Sequence, residues 1–235
     1  MSERIINVWK DPYGEGFDTC KSEQVILHSG LTVLVGCNGA GKSTLLHNIE
    51  SELKKNKIPY YYYDNLRDGG SNARGNALLE DDLVFAATAM SSSEGENITM
   101  NIGKLLSKLK EFMKTGRVAS RMTGLIDALS GEDYKAPEIK ERWLLLDAID
   151  SGHSIDNVVE TKRVLQLVID DFKANGYDLF IVVSANEYEL ANGEDCFDVN
   201  SGEYIRFKDY EDFKKFILTS REIKDTRYKS KIMER

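Results

Sequence analysis

The chain has 235 residues, and 31 Lys and Arg against 39 Asp and Glu give a net charge of −8. Hydrophobic residues at 41% and charged residues at 30% are typical of a soluble protein, and three prolines with 18 glycines exclude a Pro-rich or collagen-like chain. No apolar run approaches the roughly 18–20 residues of a membrane span. Three scattered cysteines and the absence of a secretory signal pattern favour a reducing compartment. We therefore expect a cytoplasmic protein without membrane contact.

The first 55 residues predict strands followed by a loop and a helix. Ile5–Trp9 and Val25–Leu27 predict strands of a small antiparallel N-terminal β subdomain. Leu31–Val35 is a continuous apolar run, as in a parallel strand buried on both faces. A glycine-rich loop over Gly36–Lys42 leads to a predicted helix over Ser43–Lys55, which has leucine and isoleucine at helical spacing.

The remainder alternates between strand and helix patterns. Tyr60–Tyr63 predicts a strand, and a helical insertion is expected over about 66–141, with helices at 82–90 and 97–113. The later predictions are strands at Trp143–Leu146 and Leu179–Val183, helices at Ile155–Lys173 and Asp209–Leu218, and a hairpin over Val199–Ile205. Alternating strands and helices predict an α/β fold with a mainly parallel sheet flanked by helices.

The C-terminal segment is basic although the whole chain is acidic. Residues 214–235 hold eight Lys and Arg and three Asp and Glu, which is a net +5. Such a tail predicts either a solvated, frayed helix end or a contact with nucleic acid or an acidic protein partner.

The strongest motif is GCNGAGKST at residues 36–44, which fits the phosphate-loop pattern G-x-x-x-x-G-K-[ST] between a predicted strand and helix. Glycines let backbone N–H groups turn towards one anion, and the helix start adds its positive dipole end. Lys42 is expected to reach the β- and γ-phosphates, and Ser43 to bind Mg²⁺. The predicted nucleotide-binding residues are Asn38, Gly39, Ala40, Gly41, Lys42, Ser43 and Thr44.

A second motif is Trp143-Leu-Leu-Leu-Asp147, an apolar strand that ends in a carboxylate. In a parallel sheet Asp147 would emerge at the same edge as Ser43 and could hold the metal through water. The alternative is a core strand with an exposed aspartate.

Together these motifs resemble the ATP-binding-cassette class of P-loop ATPases, especially its soluble SMC-like and overcoming-lysogenization-defect-like branch. The Asn38-Gly39 pair, the DAIDSGHSID run that starts at Asp147, and the IVVSAN run that ends at Asn186 carry the resemblance. It implies an ATPase domain over 1–219, with a helical signature subdomain in the insertion. The charge pattern adds a basic tail over 220–235. Only about 50 residues separate the signature-like segment from Asp147, so long coiled-coil arms have no room.

The resemblance also implies a partner and further ligand contacts. Ser91–Glu96 is similar to a degenerate signature motif, in which Ser93 and Gly95 would bind the γ-phosphate of ATP held by a second subunit. The expected assembly is therefore a homodimer with ATP at its interface. A helix cap explains the same residues equally well. Tyr13 or Phe17 stands where this class often stacks an aromatic ring on adenine.

Three positions depart from the family pattern. Ala148 replaces the usual glutamate that activates water, so hydrolysis is expected to be slow unless Asp150 or Glu187 substitutes as base. Asn186 replaces the switch histidine and can hydrogen-bond a phosphate but carries no charge. Asn65 stands near the expected glutamine and is a candidate Mg²⁺ ligand.

Three functions follow from these residues. The first is a slow ABC-type ATPase that binds ATP and Mg²⁺ and has Lys42, Asp147, Asn186 and Asp150 as catalytic residues. The second is an ATP-bound switch or scaffold that does not hydrolyse ATP. The third is a P-loop small-molecule kinase, for which Arg67 and Arg74 are the only indication of a lid.

Overall fold

A computed structural model describes residues 2–10, 22–65, 108–118, 128–129 and 134–233 of the chain. Its elements are β1 (Glu3–Asn7), β2 (Gln24–His28), β3 (Gly30–Val35), α1 (Lys42–Lys55), β4 (Tyr60–Asp64), β5 (Glu141–Asp147), α2 (Ile155–Ala174), β6 (Asp178–Ser184), α3 (Tyr188–Ala191), β7 (Cys196–Asp198), β8 (Glu203–Ile205) and α4 (Tyr210–Met233). Residues 108–115 are also helical.

The main sheet has six strands in the order β4-β5-β6-β3-β7-β8. The first five strands in this order are parallel, and β8 pairs with β7 in the antiparallel sense. Strand β6 therefore lies between β3 and β5 and carries hydrogen bonds to both. Because parallel strands end at the same edge of a sheet, the carboxyl ends of β3, β5 and β6 meet there.

Helices cover both faces of this sheet, which explains why its central strands are almost continuously apolar. Helix α1 buries Leu45, Leu46, Ile49 and Leu53 on one face, in a cluster that includes Trp143 and Phe180. Helix α2 buries Val158, Leu165, Val168 and Phe172 on the opposite face. Apart from the adjacent pair Leu45 and Leu46, these buried residues are three, four or seven positions apart, as the helical period requires.

The small sheet formed by β1 and β2 packs on the α1 side of the main sheet. Its strands are antiparallel, and Ile6, Val25 and Leu27 belong to the α1 cluster. Arg4 anchors β1 to β5, since its Nε lies 2.9 Å from Oε1 of Glu141 and its terminal nitrogen 2.5 Å from Oε2. The same carboxylate accepts a hydrogen bond of 2.6 Å from the indole N–H of Trp143.

The α/β class, the mainly parallel sheet and the N-terminal antiparallel pair confirm the sequence expectations. The predicted end of the last helix at Leu218 was wrong, because α4 continues to Met233 through the basic segment. Its later turns contain charged pairs at helical spacing, such as Arg221 with Asp225, which stabilise an exposed helix that lacks a wide apolar face. No helix in the described part of the chain is long and apolar enough to cross a membrane.

Trp143 tests the packing between the sheet and α1. Its side chain is fully buried and stacks on Phe180 at a ring-centroid distance of 4.3 Å. Trp143→Ala should lower the free energy of unfolding by about 3–5 kcal/mol, because truncation leaves a cavity. Urea denaturation followed by circular dichroism measures this change, and Leu167→Ala on the exposed face of α2 is the control. Equal losses in the two variants would contradict the assigned core.

Candidate functional site

The loop between β3 and α1 has a shape that depends on glycine. A Cβ added to Gly36 would lie only 3.0 Å from Cβ of Ala40 and 3.0 Å from Cγ2 of Val199. Gly41, which precedes α1, has a φ of 108°, in the left-handed region that side chains disfavour. The loop can therefore bend sharply into the helix while its backbone packs against the β7–β8 hairpin.

The loop and the first turn of α1 leave backbone donors without acceptors. Gly41 makes no side-chain cap. In the regions that the structure describes, no acceptor pairs with the N–H groups of Gly39, Gly41, Lys42 or Ser43. The first N–H groups of a helix also carry the positive end of its dipole. The start of α1 therefore favours a negatively charged ligand.

Lys42 lies inside this loop. Its side chain is only 8% exposed, and its Nζ donates to the carbonyl oxygen of Gly36 at 2.7 Å. Burial lowers the pKa of Lys42, while the negative charges of Asp150 and Asp147 act in the opposite direction. The fold thus brings an ammonium group from α1 into electrostatic contact with carboxylates that follow β5.

Asp147 lies at the end of β5 and is held by a residue of the neighbouring strand. The Ser184 hydroxyl, at the end of β6, donates to Oδ1 of Asp147 at 2.5 Å and accepts the Ala148 N–H at 2.8 Å. The Tyr62 hydroxyl, on β4, lies 3.5 Å from Oδ2. Asp147 is 7% exposed, so it is not the exposed aspartate of the alternative interpretation.

The chain turns sharply after Asp147. Ala148 is buried and has a φ of 52°, a left-handed conformation that costs an L-residue roughly 1–2 kcal/mol. The Ala148 N–H bond to Ser184 and the bond from the Ser151 N–H to the Ala148 carbonyl oxygen, 3.0 Å long, hold this conformation. The position that the resemblance assigns to a glutamate is therefore a buried turn residue.

Asp150 and Asn186, two predicted catalytic residues, are in direct contact. Asp150 Oδ2 accepts the backbone N–H groups of Asn186 at 2.5 Å and Glu187 at 2.8 Å, and Oδ1 accepts the Asn186 side-chain amide at 3.1 Å. Asp150 therefore orients the segment after β6. These contacts give Asp150 a positioning role, and its role as a base stays a prediction.

Asn65 lies just beyond the end of β4 and joins the same edge. Its Nδ2 donates to the Ser151 carbonyl oxygen at 3.0 Å, and its Oδ1 accepts from the Tyr63 hydroxyl at 3.3 Å. Both polar atoms of its side chain are thus used within the protein. Metal binding by Asn65 stays a prediction.

The remaining predicted residues divide into two groups. Ser43 is exposed at the first turn of α1, on the same sheet edge as Asp147. Tyr13, Phe17, Ser93 and Gly95 lie outside the described residues, as do Arg67 and Arg74.

Sequence reasoning missed three contacts at this edge. Ser184 and Tyr62 approach Asp147, and Ser220 of α4 accepts the Cys37 N–H of the loop at 2.9 Å. A serine that ends an otherwise apolar strand was the available signal for Ser184. Nothing in the local sequence indicated Ser220, because 183 positions separate it from its partner.

The side chains at this edge offer few ligands for a metal ion. No group of three or more His, Cys, Asp or Glu side chains with metal-binding geometry is present in the described ranges. One hydroxyl and one carboxylate, from Ser43 and Asp147, fit Mg²⁺, which keeps several waters and takes its other ligands from phosphates. The residues therefore fit Mg²⁺ bound together with a phosphate ligand and do not resemble an all-protein metal cage.

Comparison with protein-family models gives no match, and comparison with curated proteins gives none either. The function of this site is therefore inferred from its residues and their geometry.

Ser184→Ala tests the anchoring of Asp147. The variant leaves the buried Ala148 N–H without its acceptor, so the free energy of unfolding should fall by about 1–3 kcal/mol. Urea denaturation measures the change, and Ser51→Ala on the exposed face of α1 serves as the control. An unfolding midpoint equal to that of the control would show that the hydrogen bonds to Ser184 contribute nothing to stability.

His153 makes stability depend on pH. Its Nδ1 is buried without a hydrogen-bond partner in the described structure, and burial lowers its pKa from the ordinary value of 6.5, an effect that Asp150 partly opposes. The unfolded chain therefore binds this proton first as pH falls, and stability decreases below about pH 6.5. His153→Gln should lose less stability than the wild type between pH 7.5 and 5.5 in urea titrations. Parallel pH profiles would reject this effect.

Proposed function

We propose that the chain is an ABC-type P-loop ATPase that binds ATP with Mg²⁺, forms a homodimer on ATP and hydrolyses it slowly. The observation that carries the proposal is the meeting of Lys42 and Asp147 at one sheet edge. Lys42 follows β3 through the glycine-rich loop, and Asp147 ends β5. The negative charge of Asp147 raises the pKa of Lys42, against the larger lowering by burial.

The backbone at the start of α1 supports phosphate as the ligand. Its unpaired N–H groups and the helix dipole attract an anion without the desolvation of a second buried side-chain charge. Lys42 adds a buried ammonium group beside them. A ligand with several negative charges, such as the triphosphate of ATP, complements this set better than a single carboxylate does.

Ser43 and Asp147 would hold Mg²⁺ when nucleotide is bound. The ion would supply positive charge that bridges phosphate oxygens and offsets the charge that develops on them. Ser184 fixes the orientation of Asp147 for this role. Asn186, which Asp150 holds in place, would offer its amide to a phosphate oxygen.

The second candidate is an ATP-dependent switch or scaffold that does not hydrolyse ATP. Two observations favour it. Ala148 cannot accept a proton, and the Asp150 carboxylate already accepts three hydrogen bonds from the Asn186–Glu187 segment. In this candidate ATP binding alone changes the association with a second copy, a nucleic acid or a protein partner.

Lys42→Ala decides whether the loop binds nucleotide. The variant should keep its circular dichroism spectrum and lose ATP affinity by at least about 100-fold, because it removes a buried charge-assisted contact. Isothermal titration calorimetry with ATP and Mg²⁺ measures the affinity. Lys54→Ala is the matched control, since it removes an exposed lysine from the same helix. If the folded Lys42→Ala variant binds ATP like this control, the proposed function is wrong.

ATP turnover and molar mass separate the two candidates. Phosphate release above the Lys42→Ala background supports the ATPase, whereas tight binding without release supports the switch. Light scattering with and without ATP and Mg²⁺ tests the homodimer. A monomer that turns over ATP would remove the dimer from the proposal and retain the enzyme.

A further inference from the structure

The C-terminal helix α4 contacts the glycine-rich loop through two polar side chains. The Cys37 N–H donates to Oγ of Ser220 at 2.9 Å. The Lys224 ammonium, one helical turn later, donates to the carbonyl oxygen of Asn38 at 2.9 Å. Both contacts bring the end of the chain to a loop near its beginning.

Ser220 belongs to a buried polar chain. It is 2% exposed and also accepts the side-chain N–H of Asn200 at 2.8 Å. Asn200 in turn donates to Oδ1 of Asp198 through its backbone at 2.9 Å and its side chain at 3.2 Å. Because water does not reach these groups, each hydrogen bond is costly to lose, and the position of Ser220 is well defined.

One peptide group of the loop is held from both ends. The Gly36 carbonyl and the Cys37 N–H belong to the same planar trans peptide and point in opposite directions. Lys42 Nζ donates to that carbonyl at 2.7 Å, and Ser220 accepts that N–H at 2.9 Å. Ser220 thereby fixes the peptide plane that positions the buried ammonium of Lys42.

The contact between Lys224 and the loop orients a second peptide group in the same way. The Asn38 carbonyl, which accepts from Lys224, shares a trans peptide with the Gly39 N–H. Holding the carbonyl towards α4 turns the Gly39 N–H away from α4, where it pairs with no acceptor in the described residues. Gly39 also gives Lys224 room, since a Cβ there would lie 3.1 Å from Nζ.

We propose that α4 contributes to the phosphate site through two positioning residues. Ser220 orients the Gly36–Cys37 peptide group, and Lys224 orients the Asn38–Gly39 peptide group. This inference rests on the proposed nucleotide function and extends it to the C-terminal helix. The basic segment that begins in α4 is thus attached to the nucleotide site and is not only a solvated tail.

The test measures ATP affinity by isothermal titration calorimetry in the full chain with Mg²⁺. Ser220→Ala and Lys224→Met should each weaken binding about fivefold to thirtyfold, the effect of one lost orienting hydrogen bond. Ser220→Thr and Lys224→Arg keep the hydroxyl and the cationic donor and should restore affinity to within about threefold of wild type. Thr219→Ala and Lys215→Met remove exposed side chains of the same type from α4 and are the controls.

The outcomes separate this inference from the proposed function. Wild-type binding that Lys42→Ala abolishes, together with losses that the conservative variants restore, supports the inference. If Lys42→Ala abolishes binding but Ser220→Ala and Lys224→Met bind like the controls, the inference is overturned and the proposed function stands. Equal losses in the conservative variants also overturn it. Absence of ATP binding by the wild type overturns both. Lys224→Met and Lys224→Arg, at a partly exposed position, decide the matter if Ser220→Ala does not fold.

Discussion

The order of the parallel strands is the constraint on which the candidate site depends. Because β6 lies between β3 and β5, the ends of β3 and β5 are two strand spacings apart, roughly 10 Å. That order brings Lys42 and Asp147 to the same edge of the sheet. It also places Ser184, at the end of β6, where its hydroxyl can reach Asp147. A different strand order would separate these residues.

The electrostatics of the site follow from burial at that edge. A buried ammonium is destabilising unless acceptors surround it, and Lys42 has the Gly36 carbonyl and the negative charges of Asp147 and Asp150. The carboxylates in turn are held by hydroxyl and N–H donors from β6 and the segment after it. The charged groups are therefore oriented before any ligand arrives. A site arranged in this way loses little freedom on binding, which favours affinity.

The sequence predicted the elements whose signals are local. Leu31–Val35 and Trp143–Leu146 are continuous apolar runs, and α1 shows leucines at helical spacing, so β3, β5 and α1 were placed within about two residues. The prediction that Lys42, Ser43 and Asp147 lie at one edge of the sheet followed from the parallel pairing of the strands. The length of α4 was missed because its second half lacks an apolar stripe. What holds it is partly the docking of Ser220 and Lys224, which depends on tertiary structure.

The difference between local signals and tertiary contacts also explains why the sequence predicted the chemistry of the site incompletely. Ala148 stands where the resemblance implies a glutamate, but its left-handed backbone and burial come from the turn that Ser184 stabilises. The sequence suggested Asp150 as a substitute base because it is an acidic residue two positions after Ala148. Its three hydrogen bonds show that this carboxylate organises Asn186 and Glu187. The proposed triphosphate ligand therefore depends on the loop and Lys42, whereas activation of water has no side chain dedicated to it at position 148.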